Sequence, residues 1–272
     1  MSQVQPRLRR RAALGWLGGA MGAAWTACTG GAETTGGMGS SSSGGSSSSG
    51  SSLAGMSSSA LAPLSSSRSP YAPACLLTPR ETAGPFPLTA FVQTTAAVRR
   101  DITEGRPGLP LTLRMRLLNV PACAPISNAA VHVWHCDKDG VYSGYAQPGV
   151  DATGETFMRG IQRTGDDGVA EFSTIYPGWY PGRVTHIHFQ IYLENNTAVM
   201  ATATSQLAFP DAITTQVYAT STYANRGANS TVAGVARDAV FADGSVLQIA
   251  AVTGDPSVGL LATLDVGITA PG

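Results

Sequence analysis

The chain has little charge and almost no lysine. Charged residues make up 12% of its 272 residues, lysine occurs only at Lys138, and the formal net charge at pH 7 is zero. Proteins that bind nucleic acid usually present a clustered basic face. No such face is evident in this sequence, so we expect no nucleic-acid partner.

Cysteine is scarce as well, and its spacing limits what it can do. No C-x-x-C pair occurs among the four cysteines, which disfavours a thiolate metal site. In an oxidising compartment Cys75, Cys123 and Cys136 could form one disulfide and leave one free thiol. Their spacing leaves all three pairings open.

Serine and glycine dominate residues 29–70, where TGGMGSSSSGGSSSSGSS is the extreme stretch. Such a segment has too little apolar surface to offset the entropy lost on ordering, so it is predicted to be a disordered, flexible linker. Residues 71–272 remain, about 200 residues, which is enough for one substantial hydrophobic core. We therefore expect a single folded domain over 71–272.

The N-terminus has the pattern of an export signal. Four arginines open RLRRRAALGWLGGAMGAAWTAC, and the residues from 12 to 27 are uncharged and mostly small or apolar. This run is too short for a membrane span and predicts a signal over residues 1–28, with adjacent arginines that favour the twin-arginine route. Cys28 stands where a bacterial lipoprotein has its lipidated cysteine, although Trp25 is not the usual aliphatic residue. Lipidation of Cys28 as a membrane tether and simple cleavage both remain open, and either would make the protein periplasmic or cell-surface.

The remaining chain reads as short strands separated by turns. An Asp139-Gly140 pair predicts a tight hairpin, and Pro210-Asp211 opens a short helix within 210–219. This pattern predicts an all-β fold, a β-sandwich of mixed strands with long loops and few or no helices. The predicted strands are 109–120, 129–137, 168–177, 185–193, 246–252 and 260–268.

Two histidines stand one residue apart in the strand-like run THIHFQIYL. Alternate residues of a strand share a face, so His186 and His188 point the same way and could bind one metal ion. Copper and zinc are also bound by such pairs in exported proteins. Half-buried packing without any metal is the remaining alternative.

Two tyrosines extend this candidate metal site. Tyr142 follows the Asp139-Gly140 turn, and Tyr180 lies in PGWYP, shortly before His186. Phenolate is a hard anionic donor that favours a trivalent ion, and two phenolates with two imidazoles would leave Fe(III) with a net charge of about +1. This set differs from the two-histidine, one-carboxylate set of Fe(II) oxygenases. In a non-catalytic β-sandwich module the same tyrosines would be corner or core residues.

The motifs AAVHVWHCDKDGVYSGY and TIYPGWYPGRVTHIHFQIY together resemble those of the intradiol ring-cleavage dioxygenases, the family of catechol 1,2- and protocatechuate 3,4-dioxygenase. The segment CLLTPRETAGPFPL is similar to the start of the exported, single-domain members, and the resemblance runs from Cys75 to Gln206. It implies that Fe(III) is bound by the four residues named above. It also implies that Arg183 lies beside the substrate, that Gln206 lies near the oxygen-binding side, and that Tyr180 leaves the metal to act as a base.

The implied reaction inserts both atoms of O2 into a catechol-type substrate and cleaves the ring between the two hydroxylated carbons, giving a muconate-type diacid. A non-catalytic exported binding module, a copper or zinc protein and an inactive dioxygenase remain as alternatives. Only five residues separate Tyr180 from His186, where the well-known family enzymes carry a longer insertion. Neither the particular catechol nor the oligomeric state follows from the resemblance.

Three further residues belong to the strand before Tyr142. His132 and Trp134 share one face of that strand and His135 lies on the other. In the family the Trp-His pair packs beneath the metal, so we interpret all three as structural rather than as ligands.

Overall fold

The computed structural model describes residues 75–120 and 122–270. The export signal and linker expected over residues 1–70 lie outside this part of the chain. Strands dominate what is described, joined by long loops and several single-turn 3-10 helices. The two α-helices are α1 (Thr89–Val92) and α2 (Asp211–Tyr218). The strands are β1 (Pro110–Asn119), β2 (Ala124–Pro125), β3 (Ala130–Trp134), β4 (Ala146–Gln147), β5 (Val150–Asp151), β6 (Arg159–Arg163), β7 (Val169–Ile175), β8 (His186–Tyr192), β9 (Ala203–Ala208), β10 (Ala251–Asp255) and β11 (Gly259–Ile268).

Strand β1 lies at the centre of a five-stranded sheet. It pairs in parallel with β11 and antiparallel with β7, while β2 pairs with its end and β10 pairs with β11. Its apolar residues alternate with polar ones, so one face is buried and the other meets solvent. The buried face consists of Leu111, Leu113, Met115 and Leu117.

The second sheet is antiparallel, in the order β6-β3-β8-β9. One face of β8, carrying Ile187, Phe189 and Ile191, packs into the core that the two sheets share. The intervening His186 and His188 therefore point out of the sandwich, yet they are buried because loops cover that outer face. A strand buried on both sides reads as the near-continuous apolar run seen in the sequence.

The predicted all-β sandwich is confirmed, as are the long first strand, the strand containing His186, the last strand and the helix at α2. Sequence reasoning missed β6, β9 and the two-residue strands β2, β4 and β5. The predicted hairpin at Asp139-Gly140 is wrong: the chain turns there, but its flanks do not pair as strands. The Asp137 carboxylate instead accepts the backbone N–H groups of Asp139 and Val141 at 3.0 and 2.9 Å, which closes the turn locally. The strand predicted over 246–252 is also wrong for most of its length, because β10 runs from Ala251 to Asp255.

No helix in the described residues is long and apolar enough to cross a membrane.

The segment 75–88 connects the two sheets and ends over the outer face of the second one. Backbone N–H groups of Thr78 and Glu81 donate to carbonyls of Gly267 and Thr204, both at 2.9 Å. A disulfide joins Cys75 to Cys123, with Cα atoms 5.4 Å apart. The structure thus selects one of the three pairings that the sequence left open, and Cys136 is a buried free thiol.

We expect the disulfide to matter for stability because it closes a loop of 48 residues and so restricts the unfolded chain. Replacing Cys75 and Cys123 together by serine should lower the free energy of unfolding by about 2–4 kcal/mol. Urea denaturation with and without reductant measures this. Reductant should destabilise the wild type and leave the double variant unchanged. Equal stability of the oxidised wild type and the variant would contradict the prediction.

Candidate metal centre

Two tyrosines and two histidines meet on the outer face of the four-stranded sheet. The Tyr142 hydroxyl lies 3.3 Å from Nε2 of His186, and the Nε2 atoms of His186 and His188 are 3.1 Å apart. The Tyr180 ring centre lies 5.7 Å from that of Tyr142 and 5.5 Å from that of His186. The structure therefore brings together the four residues that the sequence predicted as ligands, although the first and the last are 46 positions apart in the sequence.

The hydrogen bonds around the histidines leave electron pairs directed into the cluster. Nδ1 of His186 donates to the Val184 carbonyl at 2.6 Å, so its Nε2 carries a lone pair. Nδ1 of His188 is buried and has no partner among the described residues. The two facing Nε2 atoms can share only one proton, and a cation between them would satisfy both lone pairs. This donor set fits a metal ion.

Burial sets the protonation states of the four side chains. It lowers the pKa of His186 to about 3, helped by the nearby positive charge of Arg183. It also puts the pKa of His188 well below the ordinary value, with His186 adding to the effect. Both imidazoles are thus neutral at pH 7 and able to act as ligands.

The phenols respond to burial in the opposite direction. It raises the pKa of Tyr142 well above 10, and the nearby Cys136 and Tyr180 raise it further. The pKa of Tyr180 is also raised by burial, but the adjacent Arg183 opposes this. A bound trivalent cation would reverse the preference and expel both protons, so metal binding should release protons.

A row of four buried side chains crosses the sheet and includes one member of the cluster, His188. Arg159, Trp134, His188 and Gln206 are direct cross-strand neighbours on β6, β3, β8 and β9. The Trp134 and His188 rings stack with centres 4.9 Å apart and planes within 4°. This stacking fixes the plane of the His188 imidazole, as a metal ligand requires.

Arg159 holds the loop that carries Tyr142. Its guanidinium donates to the hydroxyl and the carbonyl of Ser143 at 2.8 and 2.7 Å, and to the Phe86 carbonyl at 2.7 Å. The Phe86 ring in turn stacks on Tyr142 at 4.7 Å. The sequence contained no signal for these contacts, because each joins residues far apart in the chain.

Arg183 and Gln206 are in direct contact at the edge of the cluster. Nη2 of Arg183 donates to the Gln206 side-chain oxygen at 2.6 Å, and the Gln206 amide donates to the Thr82 carbonyl at 2.8 Å. Both residues predicted to lie near the substrate and oxygen are therefore next to the four-residue cluster. Gln206 is fully buried, whereas Arg183 reaches the surface.

The remaining histidines, His132 and His135, contact residues other than the four of the cluster. His132 stacks on Trp134 with ring centres 4.8 Å apart. Both ring nitrogens of His135 are engaged, by the Cys136 carbonyl and the Thr174 hydroxyl at 2.8 Å each. Nδ1 of His132 lies 3.5 Å from the Gln190 side-chain oxygen, and its Nε2 is buried without a partner among the described residues. His132 is thus separated from His188 by the Trp134 ring, and His135 is held by its own two hydrogen bonds.

Comparison with known proteins gives this arrangement a family. A family model described as Dioxygenase matches residues 84–222, just over half of the chain. An intradiol ring-cleavage dioxygenase from Tetranychus urticae is 26% identical, with a TM-score of 0.61 over 72% of this chain and 95% of that one. The chain belongs to the intradiol ring-cleavage dioxygenase family.

Two other relatives extend the comparison. The dioxygenase domain of a dioxygenase and carbohydrate-binding fusion protein from Streptomyces sp. SirexAA-E is 26% identical, with a TM-score of 0.50 over 72% of this chain and 99% of that domain. Catechol 1,2-dioxygenase 1 from Acinetobacter lwoffii is 30% identical over 103 residues, which are 38% of this chain. The match spans about a third of that curated relative (32%). Most of that longer enzyme is therefore left unmatched.

Gly84 offers a direct test of the site's tight packing. It has a positive φ of 66°, and a Cβ there would lie 2.9 Å from Cε1 of His188. Gly84→Ala should therefore displace the imidazole and weaken metal affinity by roughly 10- to 100-fold, measured by competition with a chelator. Gly149→Ala is the matched control, because Gly149 has a φ of 82° and open space around it. Equal affinities of the two variants would show that His188 is not held in this way.

The depressed histidine pKa values also predict how stability depends on pH. Burial lowers the pKa of His132 to about 3, with Arg159 adding to the effect, and burial lowers that of His135 to about 4. The unfolded chain binds these protons near pH 6.5 and the native protein does not. The contribution of these two histidines to the free energy of unfolding is therefore fully present above pH 6.5. It declines as the pH falls toward 4, by about 1.4 kcal/mol per pH unit for each histidine.

Urea unfolding of the metal-free protein at several pH values measures this slope. Carboxylates add to it in the wild type, so the informative quantity is the difference from His132→Gln. Between pH 6 and 4 the free energy of unfolding of that variant should fall less than that of the wild type, by the contribution of one histidine. An imidazole NMR signal of His132 titrating near 6.5 would contradict the prediction.

Proposed function

We propose that Tyr142, Tyr180, His186 and His188 bind a ferric ion, and that the protein uses it with O2 to cleave a catechol-type substrate between its two hydroxylated carbons. The observation that carries this proposal is the meeting of a buried phenol, a half-buried phenol and two neutral imidazoles in one cluster. Membership in the intradiol family supports the reaction class.

The donor chemistry favours Fe(III) over the divalent alternatives. Two phenols in a buried site ionise only if a strongly charged cation offsets their raised pKa values. Two phenolates would neutralise most of the charge of a trivalent ion and all of that of zinc or Cu(II), which would leave a divalent site with no charge to attract a catecholate.

When bound, the ferric ion would act as a Lewis acid that holds the deprotonated catechol and makes it reactive toward O2. Both oxygen atoms end in the muconate-type diacid and the substrate supplies the electrons, so no separate reductant is required. The task of this chain's residues is to bind and orient the substrate, to move its protons and to stabilise developing charge.

The tyrosines differ in burial, and this suggests different roles. Tyr142 is completely buried and stacked on Phe86, whereas Tyr180 is partly exposed and lies in a turn. Tyr180 is therefore the phenol with room to swing aside when a substrate enters. Once displaced, its oxygen would accept a proton from a substrate hydroxyl, and Tyr142 would remain in place.

Arg183 and Gln206 supply fixed polar groups on one side of the cluster. The guanidinium places a permanent positive charge where negative charge would develop on substrate oxygens, a role that suits arginine's rigid donor fork. Its contact with Gln206 at 2.6 Å keeps both groups ordered before substrate arrives. Loss of Arg183 should therefore reduce turnover more than it reduces metal binding.

We also propose that the protein acts outside the cytoplasm, in the periplasm or on the cell surface, with a lipid on Cys28 as a membrane tether. The Cys75–Cys123 disulfide supports this, because such bonds persist in oxidising compartments. Intact mass of the protein from fractionated cells is the test. A cytoplasmic chain that retains residues 1–28 would contradict it.

The proposed ligand set predicts a coloured protein. Phenolate-to-Fe(III) charge transfer should give a visible absorption band at one iron per chain. Tyr180→Phe should shift this band and abolish most turnover while much of the iron remains. Tyr142→Phe should remove most of the iron, because Tyr142 is packed in the cluster's interior.

Iron analysis, the visible spectrum and oxygen uptake with a panel of catechols measure these effects. Tyr145→Phe is a suitable control, since Tyr145 touches Phe86 but is not a proposed ligand. Iron-replete protein without the band, or a band that survives loss of both proposed tyrosine ligands, would refute the ligand set.

A further inference from the structure

The segment after α2 contains a buried carboxylate that the proposed reaction has not used. Asp238 separates two single-turn 3-10 helices, Val235–Arg237 and Ala239–Phe241, and its side chain is fully buried. It lies outside residues 84–222, the range that matches the family model. A carboxylate is rarely buried unless charge and hydrogen bonds compensate it.

The compensation comes from Arg183 and from the backbone. Nε of Arg183 lies 2.9 Å from both carboxylate oxygens of Asp238. One oxygen also accepts from the Val184 N–H at 2.8 Å, and the other from the Val240 N–H at 2.9 Å. The carboxylate is thus held on both sides, by the residues just before β8 and by its own segment.

This arrangement determines how the guanidinium is oriented. With Nε held by Asp238, Nη2 meets Gln206 at 2.6 Å, and the group lies beside the Tyr180 phenol. Asp238 also balances the charge of an arginine whose side chain is only 12% exposed. Without it, the cation would lose both its orientation and its counter-charge next to the metal ligands.

Other contacts from the same segment hold the turn that carries Tyr180 and Arg183. The Asn229 side chain donates to the Arg183 carbonyl at 2.8 Å, and the Gly182 N–H donates to the Thr231 hydroxyl at 3.0 Å. Residues 229–238 therefore hold this turn through hydrogen bonds made by Asn229, Thr231 and Asp238. This independent contact indicates that the segment serves the site rather than merely packing beside it.

We propose that Asp238 is a positioning residue for Arg183: it aims the guanidinium at the substrate side of the metal cluster and thereby sets turnover. The inference rests on the function proposed above. Asp238 has no direct contact with the four-residue cluster. It bonds to Arg183 directly, and its other link toward the cluster is the Val184 N–H, whose residue also bonds to His186 through its carbonyl. We assign its effect on turnover to the Arg183 contact, and the double-variant cycle below tests that assignment.

The first test is kinetic and uses the iron-loaded full chain. Asp238→Asn should lower kcat with a catechol by roughly 10- to 100-fold, while iron content stays near that of the wild type and KM changes much less. Asp243→Asn is the matched control, an exposed carboxylate of the same segment, and should behave as wild type. Wild-type kcat in Asp238→Asn would overturn the inference.

A double-variant cycle separates positioning from simple loss of stability. If Asp238 acts through Arg183, adding Asp238→Asn to Arg183→Met should cause no further loss of kcat. The double variant should also unfold at a higher temperature than Arg183→Met alone, in which the carboxylate is buried without its partner. Losses of kcat that multiply would show that Asp238 acts by another route.

A measurement on the wild type covers the case in which Asp238→Asn does not fold. In protein loaded with diamagnetic gallium(III), the Arg183 Nε–H should give a slowly exchanging NMR signal, assigned by its absence in Arg183→Lys. Exchange as fast as that of exposed arginines would overturn the inference. If the protein binds no trivalent metal, the proposed function fails, while the same signal in the protein as purified still tests the ion pair.

Discussion

The placement of β8 between β3 and β9 is the constraint on which the rest of the site depends. Its three apolar residues fill the core from one face, so the period of two directs His186 and His188 out of the other. A shift of register by one residue would turn the histidines into the core between the sheets and Phe189 toward the outer face. The alternation that packs the core of the sandwich therefore also sets the position of the two histidines that we propose as metal ligands.

Elements far apart in sequence then cover that outer face. The segment 75–88 brings Gly84 against His188 and Phe86 against Tyr142, and Arg159 ties this segment to the Tyr142 loop. The segment after α2 contacts the turn of Arg183, where the Asn229 side chain donates to the Arg183 carbonyl. These segments exclude water from the site. Burial therefore lowers the pKa values of the two histidines, which stay neutral, and raises the pKa values of the two tyrosines, which would ionise only beside a bound cation.

Much of this could be predicted from the sequence because it depends on local patterns. Alternation identified β8 and the long first strand, and the H-x-H motif with two tyrosines identified the cluster. Strand β9 was missed because ATSQLA is only half apolar, and its pairing partner is not visible in the sequence. The Asp139-Gly140 pair predicts a hairpin that does not form. The Asp137 carboxylate bonds to the backbone N–H groups of Asp139 and Val141 in place of strand pairing, and these bonds cannot be predicted from the sequence. Asp238 carried no motif, since its importance comes from a contact 55 residues away.

We propose that this set of phenols and imidazoles supports cleavage between the two hydroxylated carbons with both atoms of O2. Turnover of a catechol under ¹⁸O₂, followed by mass spectrometry of the product, tests it most directly. We expect a muconate-type diacid with one labelled oxygen in each new carboxyl group. A product labelled in only one group, an aldehyde from cleavage beside the two hydroxylated carbons, or no product from iron-replete protein would contradict it.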